Sequence, residues 1–172
     1  ISWSEEELPE NNLFAFKSGN DTLSFNYPTG WTILNFIEHQ LVFISNAPLT
    51  QITAIKTRAL KQDQFFCLVY TPNLIQQEIP ISQEDTPAEI IALFTEYLGL
   101  HFDPTALSTI SDDIATWRSS YQKTFDAYLG LSIIVIEIQP QTPVAFLIYA
   151  DKDSLLHFED IMLNIVETLE IH

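Results

Sequence analysis

The side chains best suited to chemistry are one cysteine, four histidines and a few paired carboxylates. Cys67 could attack a substrate only as its thiolate, which needs an electropositive setting such as an activating histidine. Its neighbours are Phe65, Phe66, Leu68 and Val69, the surroundings of a buried, inert strand cysteine. His39, His101, His157 and His172 stand singly, with no partner at metal-ligand spacing on a common element. A zinc site gathered from distant positions stays open, and His157 reads as a flank residue of the last helix. Asp151-Lys152-Asp153-Ser154 begins like a calcium loop but lacks the glycine and terminal glutamate that such a loop needs, so capping of a helix accounts for it better. Asp112-Asp113 could hold a cation and is read as a turn. Gly19, Gly30, Gly99 and Gly130 never share a motif, which excludes a glycine-rich phosphate loop. No catalytic, cofactor-binding or metal-ligating residue is assigned.

Lys56, Arg58 and Lys61 place three of the chain's seven cations within six residues. This basic island is the candidate docking patch, able to hold an anionic peptide or a carboxylate by charge-assisted hydrogen bonds. The same residues also read as the wet face of a helix. Asn20-Asp21-Thr22 matches an N-glycosylation acceptor, relevant only in a eukaryotic secretory route. Trp3, Trp31 and Trp117 are too dispersed to form an aromatic ligand box, and the latter two are expected in the core.

Seven basic against 23 acidic residues give a net charge of −16, which repels phosphate backbones and anionic lipid surfaces. Nucleic acid is excluded as a partner on that ground, and a basic protein surface or a cation is favoured. Charged residues make up only 17% of the 172 residues, and uncharged polar side chains supply much of the surface, which suits an extracytoplasmic protein. One cysteine excludes an internal disulfide. The longest apolar run, residues 144–150, falls far short of the ~20 residues that span a bilayer, so no membrane span is expected. Residues 1–18, opening with Glu5, Glu6, Glu7 and Glu10, read as an acidic tether of the kind that links a surface lipoprotein to a lipid anchor upstream. Residues 19–172 read as one globular domain.

These groups must be positioned by the elements between them. Leu23, Phe25 and Tyr27 alternate with polar residues as a half-buried strand does, and Pro28 cannot continue the ladder. Tyr27-Pro28-Thr29-Gly30 suits a type I turn, after which Trp31 and Ile33 resume an extended segment, the pattern of an ordinary hairpin. Residues 41–45 are a strand, and 52–60 recur at a spacing that predicts a short helix. Residues 65–70 are a buried strand and 72–85 a connecting loop. Thr86-Pro87-Ala88-Glu89 combines an N-cap hydroxyl, a first-turn proline and a capping-box glutamate. The helix it opens should end at Gly99. Residues 108–110 and 115–122 flank the Asp112-Asp113 turn. The runs 131–138 and 144–149 are almost wholly apolar, so both of their faces should be covered. A final helix from about 154 to 167, capped by Asp151 or Asp153, follows. Together these predict an α+β fold, an antiparallel β-sheet sandwiched by helices.

Phe25-x-Tyr27-Pro28-x-Gly30-Trp31 followed by the apolar strand 41–45 resembles the opening of PsbP-like domains, relatives of the photosystem II extrinsic protein PsbP. The resemblance continues at the far end, where a strand pair precedes a last helix and a short terminal strand around Ile171. It implies an α/β/α sandwich and a non-enzymatic module without a cofactor that docks to a protein partner, since the wider fold group also serves a Ran-binding nuclear-import factor and chaperones of secreted effectors. Two further readings stay open: a protein binding a small ligand or a divalent cation, and a hydrolase whose residues are scattered in sequence, which requires Cys67 or a serine within hydrogen-bond reach of a histidine.

Overall fold

The computed structural model describes residues 12–36, 40–48, 60, 61, 63–119, 122–124 and 127–172. Its centre is the hairpin of β9 (Ala127–Gln139) and β10 (Thr142–Ala150), turned at Pro140-Gln141 with Gln141 at φ +68°. Nearly every side chain of β10 is buried. Strands β3 (Thr32–Phe36), β4 (Leu41–Ser45) and β5 (Phe65–Tyr70) extend the sheet on one side, and β7 (Ile114–Arg118) and β6 (Leu107–Ser111) on the other. The order is β3-β4-β5-β10-β9-β7-β6, all neighbours antiparallel, with β8 (Gln122–Thr124) paired to the free part of β9.

Alternation sorts these strands onto two faces. Phe65, Cys67, Val69, Ile134, Val144, Phe146 and Ile148 point to one core. Leu147, Ala145, Val135, Ile133 and Tyr70 point to the other. The second core is roofed by α1 (Pro72–Glu78) and α2 (Pro87–Tyr97) through Ile75, Ile79, Ile90, Ile91 and Phe94. The first is roofed by α3 (Leu155–Glu167) and by a small second sheet, β1 (Leu13–Ser18)-β2 (Asp21–Asn26)-β11 (Glu170–Ile171). The fold is therefore the expected α+β sandwich, with one addition: part of one outer layer is a β-sheet.

Several local expectations change. The Tyr27-Pro28-Thr29-Gly30 turn does not close a hairpin, because β2 pairs with β1 and β11 while β3 pairs with β4. The chain passes from one sheet to the other there, using buried Pro28 and Gly30 at φ +89°. Trp31 lands edge-on against Phe65, ring centres 4.8 Å apart. The expected loop 72–85 opens with helix α1: Thr71 and Pro72, taken as strand breakers, act as N-cap and first helical residue, the Thr71 hydroxyl accepting from Leu74 N–H. Residues 13–18, read as part of the tether, form β1; residues 1–11 and the helix expected over 52–60 lie outside the described residues, apart from Leu60. The strand expected over 115–122 ends at Arg118. Neither Asp151 nor Asp153 is the N-cap of α3. Ser154 holds that position without a side-chain capping bond to the helix, while the Asp151 carboxylate accepts from Asp153 N–H (2.9 Å) and its carbonyl from Ser154 and Leu155.

The capping box of α2 is present as expected, with Glu89 N–H donating to the Thr86 hydroxyl and Thr86 N–H to the Glu89 carboxylate. Leu98 ends the helix and Gly99 takes φ +74° beyond it. On the opposite face α3 lies close to the sheet because Gly130 has no side chain: a Cβ there would sit 2.8 Å from the Leu155 side chain. Next to it a polar staple ties α3 down. The Ser132 hydroxyl donates to the Glu159 carboxylate (2.5 Å), which also meets the Arg118 guanidinium (3.1 Å). Arg118 and Ser132 are cross-strand partners, so the sheet presents both groups to one helix position.

Three expected outcomes follow for stability, each read by chemical denaturation. Thr86→Ala should cost about 1 kcal/mol through loss of the cap. Gly130→Val should cost about 1–3 kcal/mol by overpacking against Leu155. Ser132→Ala should cost about 1.5–3 kcal/mol by removing a hydrogen bond to a buried carboxylate, and much less when Glu159 is already leucine. Alkali adds a fourth: burial pushes the phenols of Tyr70 and Tyr149 up to about 12. Above their ordinary value near 10 the unfolded chain loses these protons first, so stability should fall between about pH 10 and 12, and less steeply in Tyr149→Phe.

Candidate functional site

Of the basic island, Lys56 and Arg58 lie outside the described residues. Lys61 is exposed at the entry to β5, on a short turn closed by Gln64, whose side-chain oxygen accepts from Lys61 N–H (3.1 Å) and whose N–H donates to the Lys61 carbonyl (3.0 Å). Elsewhere Arg118 is held by Glu159, and Lys17 donates to the Thr22 hydroxyl (2.7 Å). Thr22 belongs to the glycosylation triplet, whose Asn20 is exposed in the β1–β2 loop.

The tertiary structure brings out an acidic surface instead. Residues 72–117 contain eight carboxylates and no lysine or arginine. They build α1, α2, β6 and most of β7, the layer over the second core and the adjoining end of the sheet. Glu78, Glu84, Glu89, Glu96, Asp103, Asp112 and Asp113 are exposed, and Asp85 is half-buried. Bonds from the Thr105 hydroxyl (2.7 Å) and N–H (3.0 Å) hold the Asp103 carboxyl below the usual carboxylate range. Uncompensated charge of one sign on one layer produces a local negative potential that reaches about one Debye length, ~8 Å in physiological salt.

Two clefts bear on binding. One, of about 340 Å³, lies beside the small sheet and is lined by Phe16, Lys17, Asn35 and Gln40; Asn73 at the start of α1 donates to Gln40 (2.6 Å) and, from its backbone, to Ser18 (3.1 Å). The other, of about 220 Å³, runs between the first turn of α2 and strand β6, lined by Thr86, Pro87, Ala88, Thr109, Ser111 and Asp112.

The potential nucleophiles and bases are placed as follows. Cys67 is fully buried between Ile44 and Ile148, and burial pushes its thiol well up. His101 and His157 are exposed, and His39 lies outside the described residues. His172 does reach a serine: its Nε2 is 2.9 Å from Ser24 Oγ. The nearest acid, Glu170, addresses that same nitrogen at 3.9 Å, whereas an acid that orients a catalytic histidine must hold the other one. Ser24 is 1% exposed. The contact works together with the paired backbone bonds of His172 and Thr22 (2.7 and 3.2 Å) to fasten the end of the chain to β2. The Ser119 hydroxyl is buried without a hydrogen-bond partner among the described residues. No three His, Cys, Asp or Glu side chains among the described residues gather as metal ligands do, and no described helix is long and apolar enough to cross a membrane.

Sequence reasoning missed the Ser132–Glu159–Arg118 staple, whose members come from three elements, and the Ser24–His172 contact across 148 positions. Glu159 gave one sign, as an acid directly beside Phe158 in the apolar stripe of α3. The cation-free stretch 72–117 was readable from the sequence, but not that it folds into the helices over the second core and the adjoining end of the sheet.

No family model matches the chain, and no curated protein matches it in sequence. Among solved structures it is similar to a protein from Bacteroides thetaiotaomicron VPI-5482 at 12% identity and a TM-score of 0.46, covering 87% of this chain and 45% of that one. The chain thus spans under half the length of that protein. It is also similar to LpqN of Mycobacterium tuberculosis, a protein involved in cell envelope biogenesis, at 13% identity and a TM-score of 0.44, covering 94% of this chain and 92% of LpqN. At such TM-scores and identities neither likeness carries an argument about activity.

Proposed function

We propose that this chain is a PsbP-like, non-enzymatic binding module that works outside the cytoplasm by docking to a protein partner with a basic surface. The observation that carries the reading is the acidic layer of α1, α2 and β6, with eight carboxylates and no cation across residues 72–117. Such a surface speeds encounter with a partner of opposite charge and rejects partners of like charge. The motif Phe25-x-Tyr27-Pro28-x-Gly30-Trp31 supports the PsbP-like assignment, because its strand, sheet-switching turn and aromatic anchor form one structural unit. The low share of charged residues supports work outside the cytoplasm. The basic island Lys56, Arg58 and Lys61 is the alternative docking surface, and the 340 Å³ cleft at Lys17, Asn35 and Gln40, of a size that suits a small ligand, supports the ligand-binding alternative.

Carboxylate-directed cross-linking in an envelope extract of the source organism, followed by mass spectrometry, tests the reading. Cross-links should concentrate at Glu78, Glu96 and Asp112, and reversing these three to lysine should weaken the captured complex by about tenfold, mostly through slower association and more at low salt. Retained affinity in that variant, with loss in Lys56→Gln/Arg58→Gln/Lys61→Gln, would move the interface to the basic island. A saturable thermal shift with a small metabolite and no cross-linked protein would replace docking by ligand binding.

A further inference from the structure

Strand β6 (Leu107–Ser111) is the last of the large sheet, and no described segment pairs with its outer edge. An edge of this kind presents a row of unpaired backbone donors and acceptors, which proteins usually blunt with lysine, proline, a β-bulge or a covering segment. Residues 107–111 contain neither lysine nor proline. Ser108, Thr109, Ile110 and Ser111 are exposed, Ile110 to 54%. Two exposed β-branched residues, Thr109 and Ile110, on an edge without lysine or proline favour pairing, and the register shift against β7 between Thr109 and Ser111 confines it to a short stretch.

Two further features say what would pair. The 220 Å³ groove beside α2 runs along this strand, with Thr109 and Ser111 on one wall and Thr86, Pro87 and Ala88 on the other. A strand laid on β6 would present alternate side chains toward that groove and the rest toward solvent. Carboxylates stand at both ends of the edge, Asp103 before it and Asp112 and Asp113 after it, with no cation nearby in sequence. A second copy of this chain would bring the same carboxylates against themselves on bodies that each carry −16, which disfavours self-pairing. A basic segment would meet them with opposite charge.

We infer that β6 is a strand-addition site that takes an extended, lysine- or arginine-bearing segment of a partner protein. Backbone bonds along Leu107–Ser111 supply the affinity, small apolar side chains entering the groove beside α2 set the register, and the flanking aspartates select for positive charge. The inference rests on the docking reading and names the part of the acidic layer that does the pairing.

The test uses a blocked peptide of about eight residues alternating lysine and valine, with a glutamate–valine counterpart as control, followed by backbone-amide NMR of the whole chain at ~0.15 M salt. Amide shifts should concentrate at residues 107–113, Thr86 and Ala88, and the acidic peptide should produce none. Ile110→Lys, a change at an exposed position, should leave the melting temperature unchanged and weaken the basic peptide by about tenfold. Shifts centred on the Lys17–Gln40 cleft or spread over the surface, equal binding of both peptides, no binding at all, or an unaffected Ile110→Lys variant would each overturn the inference. A dimer in sedimentation that Ile110→Lys dissolves would overturn it in favour of a second copy. If β6 stays silent while Glu78 and Glu96 still mediate capture of a basic partner, the edge assignment falls and the docking reading stands; if both are silent, both fall.

Discussion

The β9–β10 hairpin is the constraint from which the rest of the structure follows. Phe146, Ile148, Ile134 and Val144 face one side while Leu147, Ala145, Val135 and Ile133 face the other, and all eight are fully buried. Backbone and side chains so apolar on two faces cannot sit at a surface, because each buried aliphatic side chain contributes roughly 1.5–3 kcal/mol only once water is excluded. Both sides must therefore be roofed. The two roofs differ because the sequence supplies different material: two short helices from the stretch after β5 on one side, and α3 with a three-stranded sheet built from the two ends of the described chain on the other.

Closure of the second roof depends on contacts between residues far apart in sequence. β11 joins β2 through Glu170↔Ser24 and Ile171↔Leu23, and Asn26 N–H donates to the Thr168 hydroxyl just past α3 (2.9 Å). Phe14, Phe16 and Phe25 then pack as an aromatic cluster that reaches Phe146 of the central hairpin. The Tyr27-Pro28-Thr29-Gly30 turn serves this arrangement by delivering the chain from the roof to the main sheet.

Charge is distributed with equal consequence. Where a carboxylate is buried it is matched, as Glu159 is by Ser132 and Arg118, since a buried charge without partners is strongly destabilising. Where carboxylates are exposed on the α1–α2–β6 layer they have no cation of this layer to neutralise them. That asymmetry does little for folding, because exposed pairs contribute only about 0–1 kcal/mol. Its effect falls on encounter with other molecules.

Elements whose signals are local were legible in the sequence. The capping box at Thr86 and Glu89, the apolar strands and the stripe of α3 need only neighbours within a turn or a strand, and the two-sided burial of 131–138 and 144–149 follows from their unbroken hydrophobicity. Thr71-Pro72 was ambiguous because the same pair ends a strand and begins a helix; only the Leu74 N–H, waiting for an acceptor, decides between them. Which strand pairs with which was not legible at the Pro28 turn, since a hairpin and a sheet switch use the same turn residues and differ only in what β2 and β3 find as distant partners. The sequence by itself determined the layered α+β character, the charge and the inertness of Cys67's surroundings, all of which depend on composition and short-range periodicity. Tertiary structure alone decided the sheet order, the staple at Glu159, the Ser24–His172 contact and the gathering of residues 72–117 into two helices and the adjoining end of the sheet, whose last strand no described segment pairs, because each depends on long-range pairings that no local pattern encodes.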